Sequence, residues 1–217
     1  MSPVLFFEKA VIAGQVLVVV CLLIGIYRFR RASKDQKIVL ALVFLAFIVE
    51  LAARILWTYK MNNLFLFHLY AVGEFTLLMF LYIAHLNGLI KPVLMRGLLV
   101  AFIVFAISNT LFFQNLKEFN SNVTFIECLL LILLALLYFY KLLRDLNHRK
   151  LQQVPMFWIN MSVLTYFSGA LILFHVANDL IPLPEKELGA IWGTHALFNI
   201  VHYLLYAIAL NLTPQKN

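Results

Sequence analysis

The chain has 217 residues but only 17 Lys and Arg and 10 Asp and Glu, so 12% of its side chains are charged, against roughly 25% in a soluble domain. With 64% hydrophobic residues and a mean hydropathy of +0.92, a soluble fold of this size would expose large contiguous apolar patches, which excludes an ordinary soluble enzyme. Each helical crossing of a bilayer takes roughly 20 residues, so the length accommodates seven crossings with short connections and, as an expectation, no soluble effector domain beside them.

Uninterrupted apolar runs predict seven spans, near 8 to 28, 37 to 59, 64 to 86, 93 to 114, 122 to 143, 155 to 178 and 189 to 211. These runs are about twice the length of a barrel strand and lack its alternation. The expected fold class is an all-α membrane protein, a seven-transmembrane-helix bundle forming a single domain over 1–217.

The first span is followed by Arg28-Phe29-Arg30-Arg31. A cleaved signal peptide has its positive charges before the apolar run, so this span is expected to stay as a helix. Span two carries Glu50 and Arg54, four residues apart, the spacing at which a carboxylate and a guanidinium pair on one helix. A neutralising pair is the plainer reading, and capture of an anionic group by Arg54 the functional one. Span three brings His68 and then Glu74. Span four ends with Ser108, Asn109 and Thr110, and span five opens with Asn122, Thr124 and Glu127. Neither Glu74 nor Glu127 has a basic neighbour one turn away on its own helix. Each is therefore expected to meet a His or Arg from another helix or to be neutralised by desolvation, and His195, Glu74 and Glu127 are expected to share one network. Span six ends with His175 and Asn178. In span seven Trp192, His195, Asn199, His202 and Tyr206 follow at spacings of 3, 4, 3 and 4, which aligns them on one helix face directed inward. Gly189 with Gly193, and Ala10 with Gly14, are small-x-x-x-small pairs suited to close helix approach. Cys21 and Cys128 fall at different depths, so free thiols are expected.

The short loops allow the positive-inside rule to be applied. One side carries Arg28, Arg30, Arg31, Lys34 and Lys37, then Lys91 and Arg96, then Lys141, Arg144, Arg149 and Lys150, and finally Lys216. The other side has Lys9, Lys60, Lys117 and Lys186 and an acidic loop with Asp179, Glu185 and Glu187. Twelve against four predicts an N-terminus outside and a C-terminus in the cytoplasm, in a multi-pass protein of the cell inner membrane. Topology and attraction to the anionic lipid bilayer explain the net charge of +7, so no nucleic acid is needed as a partner.

An ionisable side chain inside a span costs at least about 2.5 to 3.5 kcal/mol and usually faces the bundle interior. In the expected topology most such groups fall in the outer half, which predicts an outer-facing polar pocket that binds a small ligand or a proton. The candidate ligand-binding residues are Glu50, Arg54, His68, Glu74, Asn109, Glu127, His175, Asn178, His195, Asn199 and His202. A metal-dependent hydrolase would need His68, His175 and His195 to converge, with Glu127 as a fourth ligand. No H-x-x-x-H or H-E-x-x-H motif, phosphate loop, nucleophile elbow or Cys pair accompanies them. No catalytic residue, metal or cofactor is expected. Span seven lacks the lysine that a retinal Schiff base requires, and no proline interrupts a span as in many transporters. A small-solute transporter is the alternative reading.

Phe157-Trp158-Ile159-Asn160, Tyr166-Phe167-Ser168-Gly169, Phe174-His175-Val176-Ala177-Asn178 and His195-Ala196-Leu197-Phe198-Asn199-Ile200 resemble segments of uncharacterised bacterial seven-helix membrane proteins. These are similar to the membrane sensor domains associated with histidine kinases. The resemblance covers mainly the last third of the chain. It implies a receptor-like signalling role through a membrane or cytoplasmic partner such as a histidine kinase, and it supplies no ligand.

The orientation has a direct test. Cysteines introduced at Lys117 and Glu185 are expected to react with an impermeant thiol reagent on intact cells, and cysteines at Ser33 and Asn147 only once the membrane is opened. The reverse pattern would contradict the charge count.

Overall fold

The computed structural model describes residues 2–145, 150–180 and 182–213. Arg149 and Lys216 of the charge count, and the labelling position Asn147, lie outside the described residues. All elements described are helical: α1 Pro3–Arg28, α2 Lys34–Thr58, α3 Phe65–His85, α4 Pro92–Phe112, α5 Ser121–Arg144, α6 Pro155–His175, the short α7 Ala177–Leu180 and α8 Glu185–Asn211, with 3-10 turns at Phe29–Arg31 and Leu151–Gln153. Seven of them, all but α7, are long and apolar enough to cross a membrane.

Local chemistry sets the ends. The Ser2 hydroxyl accepts from the Leu5 amide at 3.3 Å, and Pro3 occupies the first turn, where its missing N–H costs nothing. Helix α1 therefore starts five residues before the predicted span, which leaves Glu8 and Lys9 in its second turn rather than at its start. At the head of α2, Ser33 and Gln36 form a reciprocal capping box, with bonds of 3.2 and 2.8 Å. Pro92 and Pro155 open α4 and α6. The apolar run carries span six to 178, whereas α6 stops at His175 and the chain turns into α7. Helix α8 begins at Glu185 rather than 189 because Glu185 and Glu187 in its first turn favour the positive end of the helix dipole.

Helices α1, α2, α3, α5, α6 and α8 form a ring in which neighbours pack in that order and α8 returns to α1; α4 lies outside against α3 and α5. One end of the bundle, termed here the N-terminal end, carries the starts of α1, α3, α5 and α8. The opposite end carries the basic loops. The parallel pair α1 and α8 makes the most extensive contact. A Cβ on Gly189 would lie 3.1 Å from the backbone of Pro3 and Val4, and one on Gly193 would lie 2.6 Å from the Phe6 ring. The small-residue spacing thus does what the sequence predicts.

At the opposite end, cationic and amide side chains satisfy helix C-terminal carbonyls that would otherwise be orphaned. Arg28 donates to the Asn211 carbonyl, to Asn211 Oδ1 at 2.7 Å and to Thr213 Oγ1 at 2.9 Å. The Gln36 amide donates to the carbonyls of Ala209 and Leu212, each at 2.8 Å. Lys141 does the same for His85 and Asn87 at 2.7 and 2.6 Å. The outward faces carry Ile12, Leu23, Phe44, Ile48, Val104, Leu133 and Ile172, all exposed, as lipid contact requires. Cys21 and Cys128 are free and buried.

Gly189→Leu is expected to force α1 and α8 apart and to cost about 1 to 3 kcal/mol, the usual penalty of overpacking. Gly97→Ala, with nothing within 4 Å of the added Cβ, is expected to leave stability unchanged or slightly raised. Thermal unfolding of the two variants in detergent measures the contrast; equal melting temperatures would contradict the close approach.

Candidate functional site

The inward stripe of α8 meets α2, α3, α5 and α6 around a cavity of about 380 Å³ in the half of the bundle toward the N-terminal end. Helix α2 contributes Glu50, α3 contributes Tyr70 and Glu74, and α5 contributes Thr124 and Glu127. Helix α6 adds Tyr166, Phe167 and Phe174. Helix α8 adds Trp192, His195, Asn199, His202 and Tyr203, and Leu64, Phe119 and Asn120 from the adjoining connections line the end of the cavity. These positions come together because each of these helices carries polar or aromatic residues between its middle and the N-terminal end of the bundle, and the ring packing turns those faces inward.

The polar groups of the cavity are not equally satisfied. Glu74 accepts a hydrogen bond from the Tyr70 hydroxyl at 2.8 Å, one turn earlier on its own helix. Glu127 is 1% exposed, and its Oε1 has no hydrogen-bond partner among the described residues; the same holds for His195 Nε2. The His195 ring stands among Phe174, Tyr166 and Trp192, with centroids at 5.0, 5.6 and 5.8 Å.

The floor is closed by bonded groups. Ser162 Oγ lies 2.9 Å from both His202 Nδ1 and the His202 carbonyl. Both contacts form at once when the hydroxyl donates to the carbonyl and Nδ1–H donates to the hydroxyl oxygen. Below them the Tyr82 hydroxyl donates to Asn160 Oδ1 at 2.9 Å, and Asn160 Nδ2 donates to the Ala135 carbonyl at 3.1 Å. Asn160, Ser162 and Tyr82 have no solvent exposure.

Of the residues proposed from sequence, Glu50, Glu74, Glu127, His195, Asn199 and His202 line this cavity. The other five do not. Arg54 is exposed and stacks its guanidinium over Trp57 at 5.2 Å, and no ion pair joins it to Glu50 among the described residues. The expected pair fails because Glu50 turns toward the cavity while Arg54, near the end of α2, reaches the surface, where a guanidinium stays hydrated. His68 is buried between α3 and α4, with Nε2 donating to the Glu118 carbonyl at 3.1 Å and Nδ1 lying 3.0 Å from Thr110 Oγ1. Asn109 bonds Gln114 and Asn122, at 3.0 Å each, and braces the connection between α4 and α5. Asn178 bonds both backbone groups of Phe119 and ties α7 to that same connection. His175 is exposed and lies against Phe125, ring centroids 4.4 Å apart.

His68, His175 and His195 therefore do not converge, and no group of three or more metal-ligating side chains occurs among the described residues. The hydrogen-bonded network expected to join His195, Glu74 and Glu127 is likewise not formed: Glu74 finds Tyr70, and the other two atoms are unpaired. Tyr70, Tyr166 and Tyr203 also line the cavity, and the cost of burying charge in a span does not point to them. Tyr70 was reachable from its four-residue spacing to Glu74, and Tyr203 from its position beside His202. Nothing in the sequence around Tyr166 sets it apart from the other aromatics of its span.

The chain matches no protein-family model, no curated protein and no solved structure.

The bonded and unbonded groups make opposite predictions. Asn160→Leu breaks two bonds and strands the Tyr82 hydroxyl, and is expected to cost about 1 to 3 kcal/mol. Glu127→Leu removes a buried group with an unsatisfied oxygen, and is expected to leave the melting temperature equal or higher. Thermal unfolding in detergent reads both. A large loss for Glu127→Leu would mean that the carboxyl is structurally bonded.

Proposed function

We propose that the protein is a multi-pass receptor or sensor of a bacterial inner membrane. It binds a small ligand or a proton in the cavity and signals through a membrane or cytoplasmic partner such as a histidine kinase. One observation carries the reading: the two buried polar atoms without partners among the described residues, Glu127 Oε1 and His195 Nε2, both belong to residues lining the same cavity. Leaving polar groups unmatched in a low-dielectric layer is costly, and it is a cost that binding sites bear. With the twelve basic residues placed in the cytoplasm, the cavity faces the outside and the basic end faces a partner.

Helix α8 supplies the route between the two. Its first two thirds carry Trp192, His195, Asn199 and His202 along the cavity, and its last turn is gripped by Arg28 and Gln36. A ligand that shifts α8 at one end alters those clamps at the other. The bonded floor of Ser162, His202, Asn160 and Tyr82 favours a site that stops in mid-membrane over a path through it.

Replacing Trp57 and Trp158 by Phe leaves Trp192 as the sole tryptophan and a reporter of the cavity. Small molecules that raise the melting temperature are expected to change Trp192 emission, and cavity-filling replacements that still fold, Ala71→Phe or Val49→Phe, are expected to abolish both responses. Ligands acting equally on the filled variants would contradict the reading. Accumulation of those molecules in proteoliposomes would replace it with transport.

A further inference from the structure

The walls of the cavity narrow the chemistry of its occupant. Three carboxyl groups line it, from Glu50, Glu74 and Glu127, and the lining residues include no Lys or Arg. Lys117, two residues from Phe119, and Arg54, four from Glu50, are both exposed, and Arg54 is engaged with Trp57. One oxygen of Glu74 is met by Tyr70, whereas Glu127, almost fully buried, keeps Oε1 unpartnered. An anionic group held in a dry layer gains most from a positively charged donor brought to it.

The remaining walls suit the same visitor. Tyr166, Phe174 and Trp192 stand around the His195 ring in the cavity wall, all within 6 Å of it by centroid distance. Aromatic faces attract cations, tryptophan most strongly. An anion would meet carboxyl groups with no compensating charge, and a neutral solute would bring no positive charge to complement them. The volume of about 380 Å³ is at the small end of the roughly 300 to 1,000 Å³ range of ligand pockets, enough for a compound of one ring and too small for a peptide.

We propose that the ligand is a small organic cation, an amine whose ammonium is met by Glu50, Glu74 and Glu127 and whose apolar body lies against Tyr166, Phe174 and Trp192. The proposal rests on the cavity being the ligand site. His195 adds a further element. Its ring lies among the same aromatic side chains and completes that wall of the cavity.

The test uses the full chain in lipid nanodiscs and size-matched probes: benzylamine and phenethylamine as cations, benzyl and phenethyl alcohol as uncharged counterparts, benzoate and phenylacetate as anions. Binding is followed by calorimetry and thermal stabilisation. The amines are expected to bind, and each alcohol to bind more weakly by roughly tenfold or more, with no binding of the anions. Glu127→Gln, which keeps the side chain's size, is expected to weaken amine binding by a similar factor while leaving the melting temperature of the free protein unchanged. Alcohols or anions binding as tightly as the amines, with that binding lost in Ala71→Phe, would overturn the cation and leave the cavity as a ligand site. Amine binding unchanged in both Glu127→Gln and Ala71→Phe, or no binding of any probe, would overturn both.

Discussion

In hydrocarbon, every polar group must find its partner inside the protein, because no water is present to supply one. Most polar side chains buried in this bundle obey that constraint. Gln36 caps the end of α8, Asn160 bridges Tyr82 and Ala135, Ser162 joins His202, and His68 reaches the Glu118 carbonyl. The two buried atoms left without partners among the described residues, on Glu127 and His195, both belong to the lining of one cavity. The position of the site follows from this contrast more than from the cavity's size. Apolar voids also occur between helices, as at the smaller cavity between α3 and α4 near His68, and they need no ligand.

Helix α8 links the parts. Its glycines let it lie directly on the backbone of α1, its polar stripe forms one wall of the cavity, and its final carbonyls are held by side chains from α1 and α2. Close packing on one face and clamping at one end leave the cavity-facing side of its first two thirds as the region where occupancy can act. A helix of 27 residues with a rise of about 1.5 Å per residue is long enough to cross a membrane, and no loop interrupts it between His195 and the basic end.

Much of the architecture was legible in the sequence, since a long apolar run has few alternatives to a helix, and the polar stripe of span seven could only face inward. The glycine spacings located the α1 and α8 contact. The ends were less legible, because caps such as Ser2 and Ser33 act outside the apolar run. Within the site, helix periodicity identified His195, Asn199 and His202, and the rule that an ionisable group within a span turns inward identified Glu50, Glu74 and Glu127. The inward expectation failed for Arg54, His68, His175, Asn109 and Asn178 for one shared reason: residues near span ends have carbonyls, loops and the membrane surface as competing partners. Depth along a helix was readable, but azimuth at the ends was not. Tyrosines escaped notice because they serve equally as membrane-interface residues and as pocket walls.

The central claim is that Glu127 and His195 face a space meant to be filled. The most direct measurement is an experimental structure of the protein in a lipid nanodisc saturated with phenethylamine. The account predicts density within the cavity, with its amine nitrogen in hydrogen-bond range of Glu127 and its ring against Trp192 or Phe174. A collapsed cavity in which Glu127 and His195 bond directly to each other, with no room for the amine, would contradict it.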